Sequence, residues 1–209
     1  MIVQFSVANY LSFKEMSTLS LATTNLKETA ISETDSMTEM GGAIPAVLHG
    51  AAIYGANASG KSNFAKAFAT FKWLVINSIK ELQAGDALDV ESFMLNDTTA
   101  KEPSIFEIVF CNVDYIFRYG FEVDGVKVHK EWLYRRNNKK RAKEVELWYR
   151  EGDIYNVHPS CAIAKSVVAN KMVRDNALLV SVAAQFNDET AVSIVDWLND
   201  TSIITSHDD

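Results

Sequence analysis

The sequence predicts a mixed α/β fold that combines a strand–loop–helix unit with an antiparallel β-meander. A glycine-rich octapeptide at residues 55–62 joins an apolar run to a stretch whose apolar residues recur at helical spacing. From about residue 103 the chain changes to short, aromatic-rich segments of alternating character, which are typical of paired strands. The chain has 209 residues, 48% of them hydrophobic, which is enough for a substantial core.

The part of the chain before the octapeptide predicts three strands and one long loop. Residues 2–8 and residues 17–22 alternate apolar and polar side chains, so we expect a strand in each. Residues 23–42 are rich in Thr, Ser, Glu and Gly without periodicity, which favours a loop. Residues 46–54 form an apolar run, and we expect a buried strand that leads directly into the octapeptide.

A long helix is predicted immediately after the octapeptide. Apolar residues recur every three or four positions from Phe64 to Leu82, and Gly85 follows as a stop signal. The unit from residue 44 to residue 84 therefore has the order strand, loop, helix.

The region after residue 103 predicts a meander of four or five antiparallel strands. Asp124 and Gly125 together are a strong hairpin signal between two of these strands. The predicted strands cover residues 104–110, 115–123, 126–134, 145–149 and 154–157. Beyond them, residues 162–176 favour a helix, and residues 178–182 predict one more buried strand. Asn187 offers an N-cap for a final amphipathic helix.

The octapeptide GANASGKS matches the pattern G-x-x-x-x-G-K-[ST], the P-loop, in which each fixed position has a physical role. Glycines at both ends let successive N–H groups point at an anion, and the following helix adds its free amides and positive dipole end. We expect Lys61 to reach the β- and γ-phosphates as a catalytic residue, and Ser62 to ligate Mg²⁺. The sequence thus predicts ATP and Mg²⁺ as cofactors. The predicted nucleotide-binding residues of the loop are Gly55, Ala56, Asn57, Ala58, Ser59, Gly60, Lys61 and Ser62.

Composition narrows the classes of function. The net charge of −7 gives no global argument for nucleic-acid binding. Cys111 and Cys161 have no metal or redox spacing, and the four histidines lie far apart, so no metal cluster is predicted. The N-terminus lacks the features of a signal peptide, and no stretch approaches the ~20 apolar residues of a membrane span. We therefore expect a cytoplasmic protein without membrane contact.

Residues 3–13 (VQFSVANYLSF) resemble the first strand of the ABC-type head ATPases related to the SMC and recombination-repair proteins. In that group, an Asn-aromatic-x-Ser-aromatic turn precedes the nucleotide site. Asn57 within the P-loop, and the Lys-Ser-Asn sequence that ends at Asn63, fit the same group. The resemblance therefore adds Asn63 to the nucleotide-binding residues.

Segments further along the chain look like the AAA-type ATP-binding proteins of the RloA and overcoming-lysogenization-defect kind. They are residues 119–121 (YGF), 131–133 (EWL) and 179–186 (LVSVAAQF), so the resemblance covers nearly the whole chain. It implies the N-terminal lobe of an ABC-type head, a two-part P-loop NTPase that dimerises with nucleotide between the subunits. Such heads often serve phage defence or DNA maintenance.

Two motifs of this family are not found in the sequence. The Walker B motif has four apolar residues followed by Asp-Glu, and the signature motif is similar to Leu-Ser-Gly-Gly. The nearest apolar-then-acid run, residues 193–196, lies on an amphipathic helix pattern, and Asp208 and Asp209 follow no apolar strand. We therefore expect nucleotide binding by this chain, with ATP hydrolysis only after completion by a C-terminal half, a second copy or another polypeptide.

The resemblance also draws attention to Gln185. In ABC-type heads, a glutamine at the end of a strand downstream of the P-loop contacts Mg²⁺ or the attacking water. Gln185 follows the apolar residues 178–184, and it is either that metal ligand or a solvated loop residue.

Six basic residues surround Asn137 and Asn138, at the predicted tip of a hairpin. A solvated turn is the interpretation that the sequence favours, because charged tips keep strands soluble. The alternatives are a contact with the phosphate backbone of nucleic acid and a contact with a partner protein. The six are Arg135, Arg136, Lys139, Lys140, Arg141 and Lys143.

Three functions stay open at this point. An ATP-binding head domain of the AAA/ABC type fits most residues. A self-contained P-loop switch or small kinase fits less well, because the Asn-Lys sequences at Asn138 and Asn170 lack the Asp of a GTPase motif. In a non-catalytic module, the meander would bind a partner protein or nucleic acid while nucleotide stabilises the fold. The expected segments are a nucleotide-binding lobe (residues 1–100), the meander (101–160) and a helical and strand segment (161–209).

Overall fold

A seven-stranded antiparallel sheet forms the centre of a mixed α/β fold. The structure, a computed structural model, describes residues 1–23, 37–40, 42, 44, 46–57, 59–112 and 114–203. Its strands are β1 (Ile2–Ala8), β2 (Ser17–Ser20), β3 (Met37–Glu39), β4 (Ala46–Leu48), β5 (Ser104–Cys111), β6 (Tyr115–Val123), β7 (Val128–Asn137), β8 (Val145–Glu151) and β9 (Ile154–Val157). The large sheet has the spatial order β2-β1-β5-β6-β7-β8-β9, and β3 pairs with β4 in a separate two-stranded sheet.

The predicted meander is confirmed as five consecutive strands, β5 to β9, each antiparallel to the next. Along β5, buried and half-buried residues alternate, as the pleat of a strand with one face on the core requires. The register places Phe106 opposite Phe121 and Phe110 opposite Phe117, so aromatic pairs cover the buried face. The strand β1 extends this sheet by pairing with β5, while the division into three segments stays a prediction.

Four helices pack against the sheet and one another. They are α1 (Lys61–Glu81), α2 (Ala162–Ala169), α3 (Leu179–Gln185) and α4 (Glu189–Asn199), and Thr99–Lys101 form a single 3-10 turn. None of the helices in the described part of the chain combines the length and the apolar character that crossing a bilayer demands.

The helix α1 confirms the strongest helical prediction and packs directly on the sheet. Phe71 is fully buried, and its ring stacks on Phe121 with the centroids 5.2 Å apart and the planes 3° from parallel. Phe5 of β1 meets Phe71 edge to face at 5.7 Å. The sequence predicted the strand–loop–helix unit and the meander as separate parts of the fold. In the structure, the helix that follows the P-loop packs on the sheet that contains the meander.

The predicted strand at residues 46–54 is wrong beyond Leu48. The strand β4 ends there, and residues 49–57 belong to no strand. Ile53 is 47% exposed and Tyr54 is 91% exposed. An apolar run forms a strand only where another strand satisfies its backbone groups, and no described strand lies beside these residues. The predicted loop at residues 23–42 lies largely outside the described residues, although β3 falls within it.

The predicted strand at residues 178–182 is also wrong, because this segment begins α3. A short apolar run is compatible with a buried strand and with a buried helix, so its periodicity could not distinguish them. The helix is favoured over a strand by Glu131 on β7, whose carboxylate accepts hydrogen bonds from the N–H groups of Leu179 at 2.6 Å and Val180 at 2.9 Å. This contact satisfies amides that a helix start leaves free.

The predicted amphipathic helix near the C-terminal end is confirmed as α4, but its cap is Asp188 and not Asn187. The Asp188 side chain accepts a hydrogen bond from Ala191 N at 3.1 Å and another from Ala164 N, in α2, at 3.3 Å. Asn187 instead has a φ of 63°, a left-handed conformation that asparagine adopts more readily than most residues. One carboxylate therefore caps α4 and fixes it against α2.

Candidate functional site

The described residues of the P-loop turn back on themselves at the start of α1. Ala56 O accepts a hydrogen bond from Ser59 N at 3.2 Å. A Cβ atom added at Gly55 would lie 2.6 Å from Ser59 Oγ, so the two sides of the loop approach each other closely here and a larger residue would displace the Ser59 hydroxyl. The loop is therefore closed by its own backbone.

Gly60 makes the transition from the loop to the helix. Its φ of 90° and ψ of 6° are left-handed, a conformation that costs residues with a Cβ about 1–2 kcal/mol. A Cβ atom there would also lie 2.5 Å from Ser12 Oγ. Both the backbone conformation and the neighbouring side chain thus require glycine at this position.

The ammonium group of Lys61 lies across the loop. Lys61 Nζ donates hydrogen bonds to Gly55 O at 2.8 Å and Ala56 O at 2.6 Å, and it lies 3.5 Å from Ser59 Oγ. The side chain is half-buried, so the positive charge is held at the loop and is still accessible. Phosphate oxygens are stronger acceptors than these neutral carbonyls, because they are charged.

The first turn of α1 has no internal counter-charge. No side chain caps this helix, and its first turn carries no acidic residue. The first amides of a helix have no intrahelical partner and lie at the positive end of its dipole. Ser62 is exposed in this turn, which leaves its hydroxyl free to contact a ligand. The arrangement can bind an anion and a cation that accompanies it.

A turn from the N-terminal region supports the loop from one side. Ser12 Oγ accepts a hydrogen bond from Asn63 Nδ2 at 3.0 Å, and the ring of Phe13 meets that of Phe64 edge to face at 6.0 Å. The buried Asn9 fixes this turn, because its side chain donates to the carbonyl of Glu102 at 2.8 Å. Ser12 was not among the predicted site residues, although the Asn-aromatic-x-Ser-aromatic pattern was the signal that pointed to it.

The structure brings the predicted nucleotide-binding residues together, since they are consecutive in the loop and the first turn of α1. Ala58 lies outside the described residues. Gln185 does not follow a strand as predicted: it is exposed at the C-terminal end of α3. Its role as a metal ligand stays a prediction. Among the described residues, no group of three His, Cys, Asp or Glu could hold a metal ion.

None of the acidic residues considered for a Walker B motif lies at the end of a described strand. Asp196 lies within α4, as its helical pattern predicted, and it follows no strand. Asp208 and Asp209 lie outside the described residues. The six basic residues of the predicted hairpin tip lie on a different element, at and after the end of β7.

A second helix N-terminus, that of α3, is occupied from within the chain. Glu131 is fully buried and accepts hydrogen bonds from the two first amides of α3 and from Tyr119 OH at 3.0 Å. Burial raises the pKa of Glu131, and its hydrogen bonds and the nearby Arg150 only partly oppose this. Burial also raises the pKa of Tyr119. This cluster is closed to solvent and ties β6, β7 and α3 together.

Comparison with protein families gives one match. A family model with the description "AAA domain, putative AbiEii toxin, Type IV TA system" matches residues 51–148, from just before the P-loop into β8. No curated protein and no solved structure matches the chain. The match covers slightly less than half of the 209 residues and supports an AAA-type P-loop ATPase domain, in agreement with the geometry of residues 55–62.

Proposed function

We propose that this chain is the nucleotide-binding part of an AAA-type ATPase head, and that residues 55–63 bind ATP with Mg²⁺. The observation that supports this most strongly is the lysine-closed loop. Lys61 Nζ is held by two loop carbonyls at the start of a helix that has no cap and no acidic first turn. Positive charge and free amides are thus concentrated at one exposed point.

Each residue of the loop has a distinct role in this proposal. The backbone amides around Gly60 and the first turn of α1 would hold the β-phosphate. Lys61 would exchange its contacts with Gly55 O and Ala56 O for contacts with the β- and γ-phosphate oxygens. These oxygens are negatively charged, whereas the two loop carbonyls are neutral. Ser62 would provide a hydroxyl ligand to Mg²⁺, and the bound ion would neutralise charge on the phosphates.

The finer proposal is an ABC/SMC-like head of the RloA or overcoming-lysogenization-defect kind, serving phage defence or DNA maintenance. The N-terminal turn at Ser12, which contacts Gly60 and Asn63, supports it. Nucleotide hydrolysis would then depend on completion by a C-terminal half, another polypeptide or a second copy of the chain. The exposed segment that contains Ile53 and Tyr54 supports this dependence, because its backbone pairs with no strand among the described residues and is open to pairing with an added one.

Isothermal titration with ATP and Mg²⁺ tests the binding proposal. We expect Lys61→Ala to weaken ATP binding at least about tenfold, because it removes charge-assisted hydrogen bonds to phosphate. Lys66→Ala is the matched control, since Lys66 is an exposed lysine on the same helix and lies outside the loop. Equal ATP affinity for Lys61→Ala and the unchanged protein would overturn the assignment of the P-loop.

A turnover assay separates binding from hydrolysis. We expect the chain alone to release phosphate no faster than its Lys61→Ala variant does, even when ATP is saturating. Steady turnover that disappears in Lys61→Ala would contradict the proposed need for completion while leaving ATP binding intact.

A further inference from the structure

The β7–β8 hairpin carries a concentrated positive charge on an otherwise acidic chain. Residues 135–143, here called the basic tip, contain six of the 20 lysines and arginines and no acidic residue. The remaining 14 are outnumbered by 27 aspartates and glutamates. The protein is thus strongly polarised, with its positive charge at one end of the sheet.

The charge of the basic tip is not compensated within the described residues. Lys139, Lys140, Arg141 and Lys143 are exposed, and no basic residue of the tip is within ion-pair distance of a described carboxylate. The nearest acid along the chain, Glu144, is already paired, with its Oε2 2.6 Å from Nη2 of Arg118.

The next acid along β8 is committed as well. Glu146 Oε2 accepts a hydrogen bond from Tyr134 OH at 3.0 Å, and its Oε1 accepts one from Asn156 Nδ2 at 2.7 Å. Glu144 and Glu146 thus satisfy groups on the sheet. Among the side chains that the structure describes, none therefore forms an ion pair with the basic tip.

The base of the tip is held in place by neighbouring elements. Asn138 N donates to Asp114 O at 2.8 Å, and Asn138 Nδ2 donates to Met40 O at 3.2 Å. The guanidinium of Arg135 lies over the ring of Tyr115, 4.7 Å from its centroid. Arg141 has a φ of 62°, where glycine or asparagine would be less strained. The basic side chains of the tip therefore project from a turn whose base is fixed by hydrogen bonds and a cation–π contact.

We propose that the basic tip binds the phosphate backbone of double-stranded DNA. Charge complementarity is the basis of this choice, because six cations within nine residues match the closely spaced phosphates of a duplex. Contacts of this kind position a protein on the backbone and need no entry into a groove. A second copy of this chain also offers negative charge, in its acidic remainder, and is the alternative that sedimentation tests. The acidic remainder of the chain restricts the contact to the tip. The proposal uses no residue of the P-loop and does not depend on ATP binding.

Fluorescence anisotropy of a labelled duplex of mixed sequence, titrated with the full chain at several salt concentrations, tests this proposal. Contact with about four phosphates predicts a log–log salt slope near −3.6, and so a loss of affinity on the order of a hundredfold between ~50 and ~200 mM salt. Alanine at Lys139, Lys140, Arg141 and Lys143 together is expected to weaken binding at least tenfold and to bring the slope close to zero. Circular dichroism establishes that this variant is folded.

Two further variants serve as controls. Alanine at Lys66, Lys80, Lys127 and Lys165 removes the same charge from exposed positions outside the tip, and it should leave the slope unchanged. Lys61→Ala should bind DNA as the unchanged protein does, so failure of ATP binding and failure of DNA binding are distinguishable.

If alanine at the four tip positions prevents folding, the pair Lys139→Gln and Lys140→Gln keeps Arg141 and its turn, and it should reduce the slope by about half. Absence of salt-sensitive DNA binding in the unchanged protein, or equal binding by the tip variants, would overturn the proposal. Sedimentation that shows self-association, lost when the tip is neutralised, would assign the tip to a second copy instead.

Discussion

The N-termini of α1 and α3 have the same chemistry and opposite surroundings. Neither helix receives a hydrogen bond from the side chain of its own N-cap residue, which is Gly60 for α1 and Leu178 for α3. At α3, the Glu131 carboxylate binds the first two amides inside the core. At α1, residues 51–57 and Ser59 are exposed, and the nearby charge is the ammonium of Lys61.

The N-terminus of α3 is thus part of the folded core, whereas the N-terminus of α1 is open to a ligand. Both helix starts favour a negative charge, because their amides and dipoles point the same way. The chain supplies the carboxyl group of Glu131 to α3 from β7 and supplies no acidic side chain to the first turn of α1. Changes at Glu131 should therefore affect folding and spare ATP, whereas changes at the P-loop should do the reverse.

The largest expected effect is the loss of stability in Glu131→Ala. The substitution leaves two buried amides and Tyr119 OH without an acceptor, and Arg150 without its nearby carboxylate, so we expect the free energy of unfolding to fall by about 3–5 kcal/mol. Denaturant unfolding followed by circular dichroism measures this. Glu131→Gln keeps the shape and one acceptor and should lose less. ATP affinity of the folded fraction should not change, and a parallel loss of ATP affinity would contradict the separation of the two sites.

A smaller effect is expected from Gly60→Ala, and here it should appear in ATP binding. The left-handed φ costs alanine about 1–2 kcal/mol, and the new Cβ would crowd Ser12 Oγ. Gly85→Ala is the matched control, because Gly85 has a φ of 87° and nothing within 4 Å of an added Cβ. Calorimetry should show at least a fivefold weaker ATP complex for Gly60→Ala alone, although thermal unfolding should show similar strain in both. Equal ATP affinities in the two variants would mean that the geometry at Gly60 does not shape the site.

The smallest expected effect is the pH dependence that Glu131 adds to stability, because it changes one proton and removes no atom. The pKa of Glu131 is raised in the folded state from its ordinary value of 4.5, so the folded protein holds this proton more tightly than the unfolded chain does. The contribution to stability is thus fully present below the ordinary value and is lost as the pH rises through the raised pKa. Unfolding free energies of the unchanged protein and Glu131→Gln, measured from about pH 4 to about pH 8, should differ in slope with this sign. Parallel curves would show that Glu131 has no raised pKa.

Local patterns predicted most of the fold. The alternation in β1 and in the meander, the helical spacing of α1 and the octapeptide all depend on neighbours along the chain, and each is present in the structure. The candidate site could therefore be proposed to the extent that its residues are consecutive. Lys61 and Ser62 were singled out because a P-loop places its chemistry within eight residues, and their roles stay predictions.

The predictions that were wrong depend on distant partners. The helix α3 is decided by Glu131, 48 residues before Leu179, and no local pattern announces that contact. The apolar run that contains Ile53 lacks a described strand beside it, and the sequence of a run cannot show whether a partner strand is present. The support of Ser12 for Asn63 likewise spans 51 positions. Contacts between residues far apart in the sequence, and not local propensity, therefore determined the structure of these segments.

The exposed segment before the P-loop is a convenient site for limited proteolysis. Tyr54 is 91% exposed in a segment that belongs to no described strand, and exposed segments of this kind are preferred sites of proteolytic cleavage. Cleavage by chymotrypsin after Tyr54 would break the bond between Tyr54 and Gly55, and its rate would report the fraction of time for which the segment is covered. A nucleotide that only fills the loop and a partner that adds a strand would protect this bond to different degrees. Digestion followed by mass spectrometry can therefore recognise a completing polypeptide, in a mixture, without knowing its identity beforehand.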